Sequence, residues 1–406
     1  MTRRVAVIGA GAAGTMAAIF AAQSGAETIL LERTRDGGRK ILISGGGRCN
    51  VLPSRVDESR FVTDSSPNTL RKLVRAWPLA EQIAFFEHDL GIPLVEETES
   101  LKLFPASHRA RDVRDGLLAH AARHGAALHM NTVVTDVAPS GPGWRVQREN
   151  AAPLEVDSVI VATGGLSVPN TGSDGAGLRM LERLGHAMHP TYAALTPLTA
   201  EPAPFGVLSG VSLPVTITAR TAARTATATG GFLFTHHGYS GPSVLDVSHV
   251  AVRSRGGADA ARVTVRWTAL SDSEVESLMR AAGTRTVLGA VRGMVPDRLA
   301  ALLLALANVE PTRSLADLPR DERRRLLEVL LRGELPWTSD EGYRKAEVTG
   351  GGVSLAEIDP RTMESRRHPG LYLCGEVLDA FGPIGGYNFL WAWATGRAAG
   401  LGAARS

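Results

Sequence analysis

The hydrophobic pattern of the N-terminal segment changes from that of a strand to that of a helix and back to that of a strand. An uninterrupted apolar run over residues 5–8 predicts a buried strand, and the alanine-rich stretch 12–23 predicts a helix that ends at Gly25. A second apolar run over residues 28–31 predicts a strand that lies parallel to the first, because a helix connects the two. The pattern therefore predicts a β-α-β unit whose second strand ends at Glu32.

The next part of the chain continues as a mixture of helices and strands. Proline at a helix start and glycine at a helix end mark several of the helices. The last strand is apolar throughout, which is typical of a sheet covered on both faces. The pattern predicts helices over residues 67–77, 78–90 and 111–124, a short hairpin over 94–104, and strands over 127–137, 144–148 and 156–162.

The pattern changes near Pro190 and returns to its first form at Val348. Between these points, threonine- and valine-rich strands precede a helical region, and a proline cluster near residue 200 is typical of a domain boundary. We predict strands over 215–219 and 261–267 and helices over 272–282, 286–307 and 320–331. One domain is then formed by residues 1–190 and 345–406, and residues 191–344 form a domain inserted into it.

The composition excludes several classes of protein. With 406 residues, 44% of them hydrophobic and 21% charged, the chain is neither disordered nor fibrous. Lysine accounts for only four of the 44 basic residues, the arginines are spread along the chain, and the net charge is +3, so charge indicates little about partners. The two cysteines, Cys49 and Cys374, exclude a disulfide scaffold and suit a reducing cytoplasm.

An uncharged run over residues 5–26 has the length of a membrane span or a signal peptide. The glycines at positions 9, 11 and 14 and the change of period indicate folded core instead, because a strand and a helix share the run. We therefore expect a cytoplasmic protein with no membrane partner.

The turn between the first strand and the first helix contains three glycines, in the sequence Gly9-Ala10-Gly11-Ala12-Ala13-Gly14. In such a turn the first glycine permits the sharp bend, the second lets backbone approach a pyrophosphate, and the third lets helix pack on strand. Glu32 lies 18 residues after Gly14, where a carboxylate can accept hydrogen bonds from ribose hydroxyls. The sequence therefore predicts a dinucleotide site, which this motif provides for either NAD or FAD.

A second glycine-rich segment, residues 37–50, favours FAD. It contains three consecutive glycines together with Ser44, Arg48 and Asn50, which offer donors to a ligand that extends beyond the pyrophosphate. A strand ending in Ala162-Thr163-Gly164 would bring backbone close to the same ligand. The alternative for residues 37–50 is a mobile surface loop, and the alternative for residues 162–164 is a plain strand end.

A fourth segment, residues 374–388, precedes a predicted helix over 389–399. The N-terminus of that helix would stabilise negative charge on the pyrimidine ring of a reduced flavin. The alternative is an ordinary capped terminal helix. Asp379 and Tyr387 flank the turn into this helix and are candidates for the substrate side of the site, or for residues that hold the turn together.

These motifs, together with residues 234–242 and 348–353, resemble a bacterial flavoprotein family, the BaiN-like or aminoacetone-oxidase-like NAD(P)/FAD-dependent oxidoreductases. The resemblance spans nearly the whole chain. It implies an α/β fold, namely a Rossmann-like FAD-binding domain of the two-dinucleotide-binding-domain flavoprotein type with an inserted β-barrel and helical domain. By position, it implies that the contacts to non-covalently bound FAD are Gly9, Gly11, Ala12, Ala13, Gly14, Glu32, Arg33, Lys40, Ser44, Gly45, Gly46, Gly47, Arg48, Cys49, Asn50, Val134, Ala162, Thr163, Gly164, Gly375, Glu376, Gly385, Gly386, Tyr387, Asn388 and Phe389.

The resemblance implies an oxidoreductase that transfers hydride between flavin N5 and a small or medium organic substrate, either reducing an activated double bond or oxidising an amine. No second Gly-x-Gly-x-x-G follows a predicted strand, so we expect NADPH or NADH to serve only as a transient electron donor. The alternative is a flavin-dependent RNA-modifying or RNA-binding protein. The one conspicuous basic cluster of this chain, residues 323–325, is flanked by acidic residues, so we expect no nucleic-acid partner. The oligomeric state stays open.

Three other features carry weaker signals. Cys49 adjoins the proposed flavin loop, but without a Cys-x-x-Cys motif a packing role is the better interpretation than a redox role. His236 and His237, if adjacent in a strand, point to opposite faces, so no metal site is expected. The sequence assigns no catalytic residue.

Overall fold

The computed structural model describes residues 2–280 and 284–405. It divides into two compact units, of which unit 1 comprises Met1–Tyr192 and Glu347–Ser406 and unit 2 comprises Ala193–Ala346. No helix in these described residues combines the length and apolar character needed to cross a membrane.

The first part of unit 1 alternates strands and helices from the N-terminus. In chain order it contains β1 (Arg4–Ile8), α1 (Ala12–Gln23), β2 (Glu27–Leu31), α2 (Arg39–Ile43), β3 (Leu52–Pro53), α3 (Pro67–Arg75), α4 (Leu79–Ala84), β4 (Leu94–Glu97), β5 (Lys102–Pro105), α5 (Ala110–Arg123), β6 (Ala127–His129), β7 (Val134–Ser140), β8 (Gly143–Arg148), β9 (Ala151–Val156), β10 (Ser158–Val161), α6 (Ala176–Arg183) and β11 (Met188–Ala194), the last of which leads into unit 2.

Unit 2 and the return of the chain complete the fold. Unit 2 contains β12 (Leu198–Thr199), β13 (Ser212–Arg220), β14 (Thr225–Phe234), β15 (Gly238–Ser240), α7 (Pro242–Ser254), β16 (Arg262–Arg266), α8 (Asp272–Met279), α9 (Val287–Arg292), α10 (Asp297–Ala307), α11 (Arg320–Arg332), β17 (Gly333–Glu334) and β18 (Ser339–Asp340), and the return to unit 1 contains β19 (Val348–Val353), β20 (Leu371–Leu373) and α12 (Tyr387–Arg405).

The core of unit 1 is a parallel five-stranded sheet with the order β20-β10-β1-β2-β6. The central strand β1 is buried, and its last residue, Ile8, is in register with Leu31 of β2 and Val161 of β10. Parallel strands end at the same edge of a sheet, and ligands bind at that edge in such folds. The glycine turn after β1 therefore lies beside the segments that follow β2 and β10. The predicted Rossmann-like α/β fold is confirmed.

The structure corrects the predicted strand over residues 127–137, which is two strands in different sheets. β6 belongs to the parallel sheet, whereas β7 pairs with β8 in a three-stranded antiparallel sheet. Between them Asn131 adopts a left-handed conformation with φ +53°. The amides of Asn131 and Thr132 donate to the carbonyls of Thr34 and Glu32, so the chain follows the loop after β2 instead of extending β6.

Two predicted helices are also shorter than expected. The helix over 286–307 is two helices, because Pro296 has no amide hydrogen to donate and disfavours a helical conformation in the residue before it. The helix over 78–90 keeps α geometry only to Ala84 and continues as a π-helical turn over Phe85–Asp89. Of the helix predicted over 272–282, residues 281 and 282 lie outside the described residues.

Unit 2 is built on an antiparallel seven-stranded sheet with the order β17-β16-β13-β14-β15-β12-β18. Only four residues separate its two edge strands in sequence, so the sheet curls towards a barrel. Aromatic side chains fill its interior, and the rings of Phe234 and Trp267 stack with their centroids 5.6 Å apart. Helices α8–α11 complete the unit and contribute to the same hydrophobic core.

Candidate functional site

The glycine turn between β1 and α1 is closed by protein at two of its glycines and open at the third. Gly9 has φ +101°, and a Cβ there would lie 2.6 Å from the carbonyl oxygen of Ala162. A Cβ on Gly14 would lie 1.8 Å from the carbonyl oxygen of Gly9. A Cβ on Gly11, which precedes the first residue of α1, would meet nothing within 4 Å. The free space therefore lies at the N-terminus of α1, where backbone amides attract anions.

Glu32 lies immediately beside this turn. Its side chain is largely buried, with the residue 7% exposed. One carboxylate oxygen accepts a hydrogen bond from the amide of Ala10 at 2.8 Å, and the other accepts one from Thr34 at 2.7 Å. Each oxygen can accept a further bond. The carboxylate is thus held rigidly next to the turn with capacity left for a ligand hydroxyl.

Two further predicted segments meet the same turn. The amide of Ala162 donates to the carbonyl of Ile8 at 3.0 Å, which places the segment 162–164 alongside Gly9. Gly375, at φ +75°, lies so close to α1 that a Cβ there would be 2.7 Å from the Cβ of Ala13. The carboxyl ends of β10 and β20 therefore both supply glycine backbone to the site.

Lys40 and Glu376, which the resemblance implied as separate cofactor contacts, form an ion pair. The ammonium group of Lys40 lies 2.7 Å from a carboxylate oxygen of Glu376 and donates to the hydroxyl of Ser167 at 2.6 Å. The Ser167 hydroxyl in turn donates to the other carboxylate oxygen at 2.7 Å, and the amide of Thr349 donates to that oxygen at 2.9 Å. Burial raises the pKa of Glu376, but the charge of Lys40 and these hydrogen bonds outweigh burial and bring the pKa below its usual range.

Sequence reasoning gave no role to Ser167 or Thr349. Thr349 lies in the quoted motif 348–353, and Ser167 follows the glycines at 164 and 165. The hydroxyl of Thr349 accepts hydrogen bonds from the amides of Leu166 and Ser167 at 2.7 and 3.2 Å. The only sequence signal was therefore the proximity of both residues to a glycine motif.

The glycines of the segment 44–50 are exposed, and all three have positive φ angles of 55°, 66° and 86°. Arg48, predicted as an anion partner, is already engaged: its guanidinium lies 3.0 Å from Glu97 and 4.2 Å from the ring centroid of Phe104. The hydroxyl of Ser44 donates to the carbonyl of Ile41 at 2.7 Å. This segment thus offers backbone amides more readily than free side-chain charge.

The start of α12 is held by two asparagines. The amide group of Asn50, oriented so that both of its ends are paired, donates to Leu52 and accepts from the amide of Gly386 at 3.0 Å. Asn388 accepts from the amide and donates to the carbonyl of Gly382, both at 2.9 Å. The ring of Phe389 stacks on Trp393, one turn further along the helix. The predicted residues 385–389 therefore form a rigid helix start next to the segment 44–50.

Arg33 and Val134 contribute differently from the other predicted contacts. Arg33 forms an ion pair with Asp174, at 2.5 Å, and Val134 is a buried residue at the start of β7. Arg33 follows Glu32 in the chain, and the amide of Thr132, two residues before Val134, donates to the Glu32 carbonyl at 2.8 Å.

Asp379 holds a turn. Its carboxylate is buried and accepts hydrogen bonds from the side chain of Thr63 at 2.9 Å, the amide of Asp64 at 2.9 Å and both the amide and the hydroxyl of Ser65 at 2.8 Å. Its nearest imidazole nitrogen, on His189, lies 3.5 Å away. Of the two interpretations open from the sequence, these contacts support the turn-holding one.

Tyr387 likewise binds a turn, because its hydroxyl accepts from the amide of Asp57 and donates to the carbonyl of Arg55, both at 3.2 Å. We expect Tyr387→Phe to lower the free energy of unfolding by about 1–2 kcal/mol, since two hydrogen bonds are lost, and to leave turnover and the flavin spectrum unchanged. Chemical unfolding and steady-state kinetics measure the two effects. A loss of turnover with an intact flavin spectrum would instead support Tyr387 as a residue of the substrate side.

Both cysteines are fully buried, and burial raises the pKa of the Cys49 thiol to about 12 and raises that of Cys374 as well. Because the thiolate is the reactive form, a redox role does not fit either residue. We expect a thiol reagent such as DTNB to modify neither cysteine in the folded protein and both after unfolding. Rapid labelling of native wild-type protein that is lost in Cys49→Ser would contradict this prediction.

The described residues, 2–280 and 284–405, contain no group of three or more His, Cys, Asp and Glu side chains arranged to hold a metal ion. His236 and His237 lie in the bend between β14 and β15, not in a strand as assumed from the sequence. The carbonyl of His237 accepts from the amide of Ala200 at 2.8 Å.

A parallel sheet with a glycine turn at the N-terminus of its first helix and a carboxylate at the end of its second strand defines a Rossmann-type dinucleotide-binding protein. Residues 3–402 match the family model described as HI0933-like protein Rossmann domain. The chain therefore belongs to this family of flavoprotein oxidoreductases, and the family and enzyme class predicted from the sequence, FAD-dependent oxidoreductases, are confirmed.

Two relatives match over almost their whole lengths. A protein of Escherichia coli named ribosomal RNA dihydrouridine synthase is 32% identical over 96% of this chain and 95% of its own length. A protein of Clostridium scindens named 3-dehydro-bile acid delta(4,6)-reductase is 31% identical over 99% of both chains. Among solved structures, the open conformation of a flavocytochrome c3 fumarate reductase covers the whole chain and 78% of its own, with a TM-score of 0.51 and 17% identity, which is a similarity of fold.

Proposed function

We propose that this chain binds FAD at the glycine turn and reduces a carbon–carbon double bond conjugated to a carbonyl group in a small or medium organic molecule. The observation that carries the first part is the geometry of the turn. Gly9 and Gly14 are required by contacts within the protein, whereas the space beside Gly11 is free and lies at a helix N-terminus. That combination suits a pyrophosphate and is not needed for the fold.

The remaining residues fit the rest of the cofactor. Glu32 has carboxylate lone pairs available for ribose hydroxyls, and the exposed glycine backbone of residues 45–47 can follow an extended ligand. The N-terminus of α12, a helix of 19 residues, favours negative charge at the pyrimidine end of a flavin. When bound, the flavin supplies hydride transfer at N5.

The reaction class rests on the two full-length relatives. Their names describe formation of dihydrouridine in one case and reduction of a 3-dehydro-bile acid in the other. Both reactions add two hydrogens to a double bond conjugated to a carbonyl. The corresponding overall reaction here consumes one hydride equivalent from NADPH or NADH and one proton from solvent, and yields the saturated carbonyl compound.

A three-step spectroscopic experiment tests this function. Protein purified and supplied with FAD should show a flavin spectrum, which should bleach on anaerobic addition of NADPH or NADH and return on addition of a steroid 4-en-3-one. Gly11→Val protein serves as the matched control without cofactor. Failure of both nicotinamides to bleach the flavin would overturn the reductive reaction. Bleaching by a small amine, with oxygen uptake on exposure to air, would establish amine oxidation instead.

The name of the Escherichia coli relative favours a second candidate, reduction of a uracil base in RNA. Two arginines of the basic cluster 323–325 are used within unit 2: Arg325 donates to the carbonyls of Ala307 and Asn308 at 2.9 and 3.2 Å, and Arg323 donates to the carbonyl of Leu318 at 3.2 Å. Incubating the NADPH-supplied enzyme with unmodified ribosomal RNA and measuring dihydrouridine by mass spectrometry distinguishes the candidates. Dihydrouridine formation without enone reduction would replace the first candidate by the second.

A further inference from the structure

We propose that Lys40 and Glu376 act as an opposed-charge pair that sets the reduction potential of the bound flavin, and that Ser167 positions both charges. This inference rests on the proposed binding of FAD. It assigns separate roles to three residues that come from different parts of the chain.

The side chains of Lys40, Glu376 and Ser167 form a closed ring of hydrogen bonds. Lys40 contacts Glu376 at 2.7 Å and Ser167 at 2.6 Å, and Ser167 donates to the second carboxylate oxygen of Glu376 at 2.7 Å. The Lys40 and Glu376 side chains are only 25% and 18% exposed. Water therefore screens these charges weakly, and each charge acts over a longer distance than a surface charge would.

The pair also lies within the proposed cofactor site. Glu376 directly follows Gly375, whose backbone contacts α1 beside the glycine turn. On the other side, a Cβ on Gly165, the neighbour of the predicted contact Gly164, would lie 2.9 Å from a carboxylate oxygen of Glu376. The ion pair thus joins the segment after β2, the segment after β10 and the segment after β20.

The two charges have opposite effects on an electron acceptor. A positive charge near the flavin favours its reduced, more negative form, and a negative charge disfavours it. Removal of either charge leaves the other uncompensated in a weakly screened position. A pair that tunes the potential must therefore give single-charge variants whose potentials shift in opposite directions, whereas a purely structural pair has no reason to do so.

The test compares the reduction potentials of FAD-loaded variants in mildly alkaline buffer, where the carboxylate of Glu376 stays ionised. We expect Lys40→Met to lower the potential and Glu376→Gln to raise it, each changing the ratio of reduced to oxidised flavin at fixed potential on the order of tenfold. The double variant should lie between the two. Lys40→Arg, which keeps the charge, and Lys72→Met, which removes an exposed lysine on α3, should match wild type.

Ser167→Ala removes no charge and should weaken FAD binding without reproducing either shift. Shifts of the same sign in Lys40→Met and Glu376→Gln, or potentials in these two variants that equal the wild-type potential, would overturn the inference. If Lys40→Met retains no flavin, Glu376→Gln decides the question: a raised potential supports the inference, and an unchanged or lowered potential overturns it. Failure of wild-type protein to hold FAD at all would instead overturn the proposed function, so the two failures are distinguishable.

Discussion

Replacement of Gly11 by valine is expected to abolish FAD binding while the protein stays folded. The backbone of Gly11 is extended, with φ −78° and ψ −168°, which valine adopts without strain, and its Cβ direction is empty to 4 Å. The valine side chain would occupy the space proposed for the pyrophosphate. We expect binding at least about 100-fold weaker, which corresponds to about 2.7 kcal/mol.

The measurement pairs an FAD titration with chemical unfolding of the FAD-free protein. Gly11→Val should unfold within about 1 kcal/mol of wild type, the scale of an unfavourable helix-capping residue. Gly14→Ala is the matched control, because its Cβ would lie 1.8 Å from a backbone oxygen and should destabilise the fold itself. Tight FAD binding by folded Gly11→Val protein would show that the pyrophosphate lies elsewhere.

The second large effect is expected at the crossing of α1 and α12. A Cβ on Gly400 would lie 2.3 Å from the carbonyl oxygen of Ala17, and one on Gly396 would lie 2.4 Å from that of Ala13. Because the obstacle is helix backbone, the two helices must separate to admit even a methyl group. We expect Gly400→Ala to destabilise the FAD-free protein by about 3 kcal/mol or more.

Gly116→Ala in α5 is a matched control, since it makes the same change inside a helix. Its nearest neighbour is the flexible end of Ile92, 2.9 Å from the added Cβ, and alanine favours a helix over glycine. We expect its free energy of unfolding to stay within about 1 kcal/mol of wild type. Equal stabilities for the two variants would show that α1 and α12 do not rely on this close approach.

A helix or strand was predictable where the hydrophobic period and a terminating residue indicated the same bounds. Helix α1 has the predicted bounds, because an alanine-rich stretch lies between the glycine turn and Gly25. The single strand predicted over 127–137 was wrong because the chain leaves the sheet where the amide of Asn131 donates to the loop after β2. That contact joins residues distant in sequence. The single helix predicted over 286–307 was wrong because Pro296 interrupts it, although the apolar pattern continues on both sides of the proline.

The residues of the candidate site also fall into a group that the sequence could predict and a group that it could not. Its glycine motif and Glu32 are local features of a β-α-β unit, so their positions follow from spacing along the chain. Lys40, Asp379 and Tyr387 each bind at least one residue that lies more than 300 positions away in the sequence. No periodicity or spacing encodes such contacts.

By itself, the sequence determined the class of fold, the turn that a dinucleotide needs and the family, because each is recognised from motifs whose own residues lie close together in the chain. Only the tertiary structure decided which charges neutralise each other, as for Lys40 with Glu376, and which glycines the protein itself requires. The physical reason is that hydrogen bonds and steric contacts depend on distances in space, and the parallel sheet brings the ends of β1, β10 and β20 to one edge.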